Sequence, residues 1–298
     1  DTSKPLGRLH AHQAKLESGS LKVGDSVLLT VDAERRDRIR ANHSATHLLH
    51  AALRGRLGGH VTQKGSLVAE DRLRFDFSHP KALSAEEIAD VEAEVNAQIR
   101  GNETVSTRLM TPEDAIEAGA MALFGEKYGD EVRVLSMGAG EGKSYSVELC
   151  GGTHVRALGD IALLKIVSES AVSSGVRRIE ALPGEAARLW LVNRDDALKS
   201  VAATLKTTPD EVPIRVAALA DALKKAEREL ADAKKALAMG GGAGGSGPAV
   251  GTVGSTSFIA QVVDGLDPKN LRGAVDDLKK RVGNGVAMLV AVNDGRAS

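Results

Sequence analysis

Two short motifs, far apart in the sequence, most constrain how this chain can fold. His43-Ser44-Ala45-Thr46-His47 places two imidazoles four residues apart, on one face of the helix that the apolar spacing from Ile39 to Leu57 predicts. Cys150-Gly151-Gly152-Thr153-His154 places a thiol and an imidazole at the same separation, around two glycines that permit a tight turn. Three imidazoles and a thiolate suit tetrahedral zinc, so the fold is expected to bring the helix and the turn together.

Other interpretations of these motifs remain open. The two histidines could be surface residues of a helix, Cys150 could be an inert buried thiol, and a metal with four protein ligands could be purely structural. With 8 His and 1 Cys in 298 residues, the two spacings together have a chance expectation of about 0.006. Ser44 stands where His-Glu-x-x-His peptidases carry a general base, so the expected target is a bond easier to break than an amide, such as an ester.

The first 184 residues are predicted to have an α+β fold. Residues 1–37 are interpreted as a β-rich subdomain, because Leu21–Val31 alternates around a Gly24-Asp25 turn. Residues 38–184 are interpreted as a mixed domain in which Ser84 opens a capping box and Thr111 begins a further short helix. Strands are predicted at Leu73–Phe77, Glu131–Met137, Ser144–Leu149, Ile161–Ser168 and Val176–Leu182.

The character of the sequence changes after Pro183-Gly184. Residues 185–239 carry leucines at seven-residue steps, which predicts two helices packed as an antiparallel hairpin. Residues 240–254 contain eight glycines and are predicted to be a flexible linker. Residues 255–298 are interpreted as a partial α/β domain, a β-α-β unit whose last strand should be followed by a turn and a partner strand.

Composition narrows the class of protein. A single Cys cannot form an internal disulfide, so a cytoplasmic location is expected. No run approaches about 18 apolar residues and no signal peptide is recognisable, so no membrane is expected as a partner. A net charge of −1, with four Phe, two Tyr and one Trp, argues against a uniformly basic or base-stacking nucleic-acid binder. Because the first residue is Asp1 rather than Met, we expect a piece of a longer protein.

Six sequence blocks together resemble the editing domain of bacterial alanyl-tRNA synthetase. They occur in the family's order along residues 1–183, and the helical and Gly-linked remainder resembles the same enzyme more loosely. The editing domain of threonyl-tRNA synthetase shares the two ligand spacings, but the other five blocks match the alanine enzyme better. The blocks are Asn42–His50, Gln63–Ser66, Leu73–His79, Ala122–Gly129, Glu148–His154 and Gly175–Ala181.

The resemblance implies hydrolysis of the aminoacyl ester of mischarged Ser-tRNA(Ala) and Gly-tRNA(Ala). In the matching site Thr46 is expected to contact the serine hydroxyl or exclude alanine, and Gln63 to orient the ester or a water. The resemblance also implies one zinc ion per chain, held by His43, His47, Cys150 and His154.

The expected partner is tRNA(Ala), above all its aminoacylated acceptor end. Phosphate contacts are expected from four cations, which could otherwise be solvated or paired with Asp76: Lys64, Arg74, Arg177 and Arg178. ATP and magnesium would belong to an aminoacylation half that is absent from this chain, and a homodimer could form through the C-terminal region. Two rival interpretations are a freestanding aminoacyl-tRNA deacylase and a non-catalytic, zinc-stabilised module for tRNA binding and dimerisation.

The remaining histidines are expected to be ancillary. His50 and His79 belong to the resembling blocks and are interpreted as packing residues or as supports for ligands, whereas His10, His12 and His60 are expected on the surface. The glycine-rich segment 138–143 lacks the spacing of a phosphate-binding loop, so a hairpin loop is predicted there.

Overall fold

The structure is a computed structural model that divides into two compact units, residues 1–193 and residues 194–298. It describes residues 2–6, 9–120, 130–140, 143–238, 249–264, 266, 268–293 and 296–297. The whole Ala122–Gly129 block, and residues 240–248 of the predicted linker, therefore lie outside the described residues. None of the helices in the described ranges has both the length and the apolar content that a membrane span needs.

The first unit combines small antiparallel sheets with helices. The strands are β1 (Thr2–Leu6), β2 (Leu9–Gln13), β3 (Gln63–Val68), β4 (Leu73–Ser78), β5 (Ser106–Met110), β6 (Val132–Gly140), β7 (Lys143–Leu149), β8 (Leu164–Ser173) and β9 (Val176–Pro183). The helices are α1 (Ala33–Leu57), α2 (Ala85–Gly101), α3 (Pro112–Glu117) and α4 (Gly184–Leu205), the last continuing into the second unit. The predicted mixed α+β character is confirmed.

Two sheets and two helices build the core that carries the site. Strands β3-β4-β9-β8 form one antiparallel sheet, and β5-β6-β7 form another. Helices α1 and α2 pack together, and α1 also contacts β7 and the first sheet. Leu48 and Leu49 of α1 are fully buried with Phe75 and Phe77 of β4 in one apolar cluster. Because the ligand-bearing turn of α1 lies in this cluster, its position is rigidly defined.

The helix and strand boundaries confirm most local predictions. Ser84 and Glu87 form the predicted capping box of α2, and the Thr111 side chain caps α3. Strands β6 and β7 pair to Gly140↔Lys143, so the glycine-rich segment lies at a hairpin end as predicted. Helix α1 begins at Ala33, earlier than the predicted Ile39, because Asp32 caps it by accepting a hydrogen bond from the Arg35 amide.

The strands expected within the β-rich lead-in are wrong. The alternating segment Leu21–Val31 contains the turn at Val23-Gly24 but no strand. A hairpin forms upstream instead, where β1 and β2 pair antiparallel. The apolar side chains of the segment are exposed, with Leu28 at 91%. An alternating segment forms a strand only when another strand is available to pair with it. Among the described residues, no strand lies beside this segment.

The second unit contains the expected β-α-β arrangement. Its elements are α5 (Val212–Ala238), β10 (Gly251–Val253), β11 (Thr256–Asp264), α6 (Pro268–Val282), β12 (Gly285–Asn293) and β13 (Arg296–Ala297). Strands β11 and β12 are parallel and joined through α6. The short strand β13 pairs with the end of β12, which confirms the strand expected after the turn.

The predicted antiparallel packing of the two heptad helices is wrong for the described residues. Helices α4 and α5 both form, but their apolar stripes do not cover each other along their lengths. Leu223 and Leu230 of α5 are 62% and 57% exposed, and Leu198 of α4 is also exposed. A seven-residue period predicts an apolar stripe, but it does not specify the surface that covers the stripe.

Candidate metal centre

Helix α1 and the turn after β7 bring the four predicted ligands together. His43 and His47 lie one helical turn apart on α1, and Cys150 and His154 follow the end of β7. One ligand atom from each residue lies within 4.8 Å of the others. The Cys150 Sγ lies 3.3 Å from His154 Nε2 and 3.6 Å from His43 Nε2. The sequence prediction that these residues meet is therefore confirmed, and the cluster could hold a metal ion.

A buried carboxylate orients His47. Glu148, near the end of β7, lies 2.9 Å from His47 Nδ1 through its Oε2 atom and 3.3 Å from His50 Nδ1 through its Oε1 atom. The Ser146 hydroxyl donates a third hydrogen bond to Glu148. Because Nδ1 is engaged by the carboxylate, the Nε2 atom of His47 is left for the cluster, and it is buried without a hydrogen-bond partner among the described residues.

A serine hydroxyl orients His154 in a similar way. Ser44 lies between the two α1 ligands, and its Oγ atom is 3.2 Å from His154 Nδ1. The same oxygen accepts a hydrogen bond of 3.1 Å from the Val155 amide. His154 thus turns its Nε2 atom toward Cys150. Ser44 supports a ligand in this fold, at the position where a peptidase of the His-Glu-x-x-His type has its base.

The turn between Cys150 and His154 is held by Arg133 and requires a glycine. The Arg133 guanidinium donates to the carbonyls of Cys150, at 2.9 Å, and of Gly152. A Cβ atom on Gly152 would overlap the His43 imidazole, whereas one on Gly151 would meet nothing within 4 Å. The two glycines of the motif therefore differ: Gly152 allows the close approach to His43, and Gly151 is not packed.

The cluster stabilises a thiolate and a charged imidazole. Burial disfavours the thiolate of Cys150, but the imidazoles of His154, His43 and His47 outweigh it and lower the pKa of the thiol to about 3. Burial also disfavours a charged His47, yet the Cys150 thiolate and the Glu148 carboxylate raise its pKa to about 9. The pKa of Glu148 lies far below its ordinary value, because hydrogen bonds from His47 and His50 outweigh burial.

These observations fit a tetrahedral metal site. In a zinc site with nitrogen and sulfur ligands, donor atoms are about 3.3–3.7 Å apart, which matches both distances from Cys150 Sγ. A thiolate at neutral pH is the donor state that a cation requires, and the buried His47 Nε2 atom, which has no hydrogen-bond partner among the described residues, is positioned to become a donor when it loses its proton. The donor set of three imidazoles and one thiolate is typical of zinc.

The two residues predicted to act on the substrate form hydrogen bonds with residues outside the cluster. Thr46 is buried on α1, and its hydroxyl donates 2.8 Å to the Asn42 carbonyl one turn earlier. Gln63 begins β3, opposite Phe77, and its amide lies 3.4 Å from the Ser66 hydroxyl. Their roles toward the substrate remain predictions.

The four cationic side chains predicted to bind phosphate differ in how firmly ion pairs already hold them. Arg177 forms two hydrogen bonds with Glu169, and Arg178 forms two with Asp76, at 2.7 and 2.8 Å. Arg74 is 3.7 Å from the same Asp76. Lys64 is exposed on β3. Asp76 is therefore paired chiefly with Arg178, whereas the alternative interpretation of the sequence paired it with Arg74.

Of the remaining histidines, His50 and His79 are buried and His60 is exposed, as expected, and His79 also contacts His60. His50 supports Glu148 and packs on Phe75, so its interpretation as a supporting residue agrees with the structure. His79 is buried and lies 2.9 Å, through Nδ1, from Nε2 of the exposed His60. His12 is exposed, and the side chain of His10 lies outside the described residues.

Comparison with known proteins shows which class of protein this chain is similar to. Residues 132–180 match the family described as the threonyl and alanyl tRNA synthetase second additional domain. Over the whole chain, the sequence is 80% identical to alanine–tRNA ligase of Sphingopyxis alaskensis, 70% to that of Rhizorhabdus wittichii and 58% to that of Parvibaculum lavamentivorans. Along its whole length the chain is thus similar to part of each of these alanine–tRNA ligases, in keeping with the resemblance of its motifs. It spans 34% of the length of each of these three relatives.

Proposed function

We propose that this chain is the editing portion of an alanine–tRNA ligase, and that it hydrolyses the aminoacyl ester of Ser-tRNA(Ala) and Gly-tRNA(Ala) at a zinc site. The observation that carries the proposal is the convergence of His43, His47, Cys150 and His154, with Glu148 and Ser44 fixing the ring nitrogens. The full-length enzyme would attach alanine to tRNA(Ala) with ATP and magnesium, in a part that this chain does not include.

Physical chemistry explains why such an enzyme needs a second site. A pocket shaped for alanine cannot exclude the smaller glycine by size, and it rejects the additional hydroxyl of serine poorly. A separate hydrolytic site can instead select what the first site admits by error. The ester that joins an amino acid to a tRNA is also easier to cleave than an amide, in keeping with the absence of a peptidase-type glutamate beside His43.

The residues of the centre hold and orient the reacting groups. A bound zinc ion would supply a Lewis acid that polarises the ester or orients the α-amino group or a water. His47 is held by Glu148 with Nε2 inward, so this ligand is positioned before substrate arrives. The Thr46 oxygen, whose proton is donated to Asn42, can still accept a hydrogen bond from the serine hydroxyl, which alanine lacks. Gln63 is assigned the orientation of the ester or water.

The proposed tRNA contacts lie on the sheet formed by β3, β4, β9 and β8. Lys64 and Arg74 could approach the acceptor end without giving up a bidentate ion pair. Arg177 and Arg178 would have to exchange Glu169 and Asp76 for phosphate. The exposed leucines of α5 support a homodimer through the C-terminal unit as a further expectation.

A deacylation assay and the full reading frame together distinguish the proposal from its rivals. The chain is incubated with Ser-tRNA(Ala), Gly-tRNA(Ala), Ala-tRNA(Ala) and Ser-tRNA(Thr), and release of the amino acid is followed. The proposal requires fast release of serine and glycine from tRNA(Ala) and slow release of alanine. Preference for Ser-tRNA(Thr) would contradict the alanine assignment. Bound zinc without any hydrolysis would support the non-catalytic module, and a reading frame without an aminoacylation half would support the freestanding deacylase.

A further inference from the structure

A cavity of about 440 Å³ borders the metal centre on the side of the first turns of α1. His154 belongs to both the cluster and the cavity wall, so a molecule in this cavity lies directly beside the ligands. Its volume is within the usual range of small-molecule sites, about 300–1,000 Å³. The residues that line it are Asp37, Arg40, His154, Val155, Arg156 and Asp160.

The two carboxylates that line this cavity already accept hydrogen bonds, whereas its two arginines keep unused N–H donors. Asp37 accepts a hydrogen bond of 2.8 Å from Arg40 Nη1. Asp160 accepts from the backbone amides of Arg156 and Ala157, at 3.1 and 3.2 Å. The Nε atom of Arg40 is buried without a hydrogen-bond partner, and no ion pair holds the exposed Arg156 side chain among the described residues. The unused hydrogen-bonding capacity therefore favours an anion.

We propose that this cavity seats the terminal nucleotide of the aminoacylated tRNA and that Arg40 and Arg156 bind its phosphate. The inference rests on the proposed function and adds the substrate contacts of that site. In an aminoacyl-tRNA only one ribose separates the ester from the phosphate of the same nucleotide, so a phosphate site must border the metal ligands. Arg40 and Arg156 meet this requirement, and their guanidinium forks suit phosphate oxygens.

The proposal is tested by binding rather than by turnover. The probe is a short RNA hairpin that ends in single-stranded CCA and carries serine through a non-hydrolysable amide. Its Kd is measured at several salt concentrations for the zinc-loaded wild-type chain and for Arg40→Gln, Arg156→Gln and Arg156→Lys. The matched control is Arg100→Gln, which removes an exposed arginine at the end of α2, outside the cavity. Zinc content and Tm are measured for every variant.

Each glutamine variant in the cavity is expected to bind the hairpin at least about tenfold more weakly, because a charge-assisted hydrogen bond is lost. The slope of log Kd against log salt should fall by about 0.7 for each lost phosphate contact. Arg156→Lys should keep the slope of the wild type while losing affinity, since the charge remains and the fork does not. Zinc content, Tm and the behaviour of Arg100→Gln should be unchanged.

Wild-type affinity and slope in both glutamine variants would overturn the proposal. If the wild type still hydrolyses Ser-tRNA(Ala) in that case, the subsite fails and the proposed function stands. If the arginines control binding but ester-linked serine is not released, the subsite stands and the proposed function fails. A second arm adds AMP or inorganic phosphate: competition by AMP at lower concentration supports a nucleotide site, and equal competition by both indicates a simple phosphate site and overturns the nucleotide assignment.

Discussion

Glu148 and His47 form a buried hydrogen-bonded pair, with the carboxylate Oε2 atom 2.9 Å from the imidazole Nδ1 atom. The pair joins β7 to α1, the two elements that carry the ligand motifs. Because the carboxylate engages Nδ1, it determines which nitrogen of His47 faces the cluster. A carboxylate behind a ligating histidine fixes the ring and raises its basicity, so Glu148 should control metal affinity without touching the metal.

Replacing Glu148 should weaken zinc binding. We expect Glu148→Gln to lower zinc affinity by about 10–100-fold, the usual effect of removing a carboxylate partner of a ligand. Competition with a chromophoric chelator measures it, and Glu86→Gln, an exposed glutamate of α2, is the control. Equal affinities in the two variants would contradict the role of Glu148.

The two glycines of the turn should respond differently to the same added methyl group. In Gly152→Ala the new Cβ overlaps the His43 ring, so His43 must move and zinc affinity and Tm should both fall. In Gly151→Ala the Cβ meets open space, and neither glycine has a positive φ, so near wild-type behaviour is expected. Zinc titration and thermal unfolding of both variants provide the comparison. Equal loss in both would refute the close approach to His43.

Zinc binding should release about one proton at neutral pH. In the metal-free protein His47, with a pKa of about 9, is protonated at pH 7, whereas Cys150, with a pKa of about 3, is already a thiolate. Zinc requires neutral His47, so apparent affinity should rise by up to about tenfold per pH unit toward pH 9 and then level off. Calorimetry in buffers with different ionisation enthalpies counts the protons. A binding enthalpy independent of the buffer at pH 7 would contradict this assignment.

Arg178 should contribute to stability through Asp76. The Arg178 guanidinium holds the pKa of the Asp76 carboxyl below its ordinary value, so the stabilisation is present at neutral pH and is lost as the pH falls through that lowered pKa. Arg178→Gln should therefore lower Tm at pH 7 and lose this effect in strong acid. Thermal unfolding across pH tests it, with Arg72→Gln as an exposed ion-pair control. A variant with wild-type Tm but a reduced salt slope for RNA binding would instead assign Arg178 to phosphate.

Local spacing predicted the four residues of the cluster but not Glu148 and Ser44, which orient two of them. The four-residue steps of His43 to His47 and Cys150 to His154 could be read directly, because each lies within one element or turn. Glu148 acts only because β7 passes beside α1, and Ser44 only because His154 folds back onto it. No pattern in the sequence reports such long-range proximity, although Glu148 stands within a block that resembles the family.

The predictions of the fold that are wrong also fail because a local pattern does not report long-range contacts. The start of α1 is charged rather than periodic in apolar residues, so apolar spacing places the start of the helix at Ile39 instead of Ala33. Leu21–Val31 and the leucines of α5 have strand-like and heptad-like periods, but both are exposed in the structure. Periodicity identifies which face of a segment is apolar, and the partner that covers this face depends on the rest of the fold.

The most direct test of the central claim is deacylation of Ser-tRNA(Ala) by the wild-type chain and by Cys150→Ala, with zinc content measured on the same samples. The wild type should bind one zinc ion and release serine, and the variant, which lacks the Cys150 thiolate, should lose both zinc and hydrolysis. A Cys150→Ala protein that binds no zinc yet deacylates Ser-tRNA(Ala) at the wild-type rate would contradict that claim.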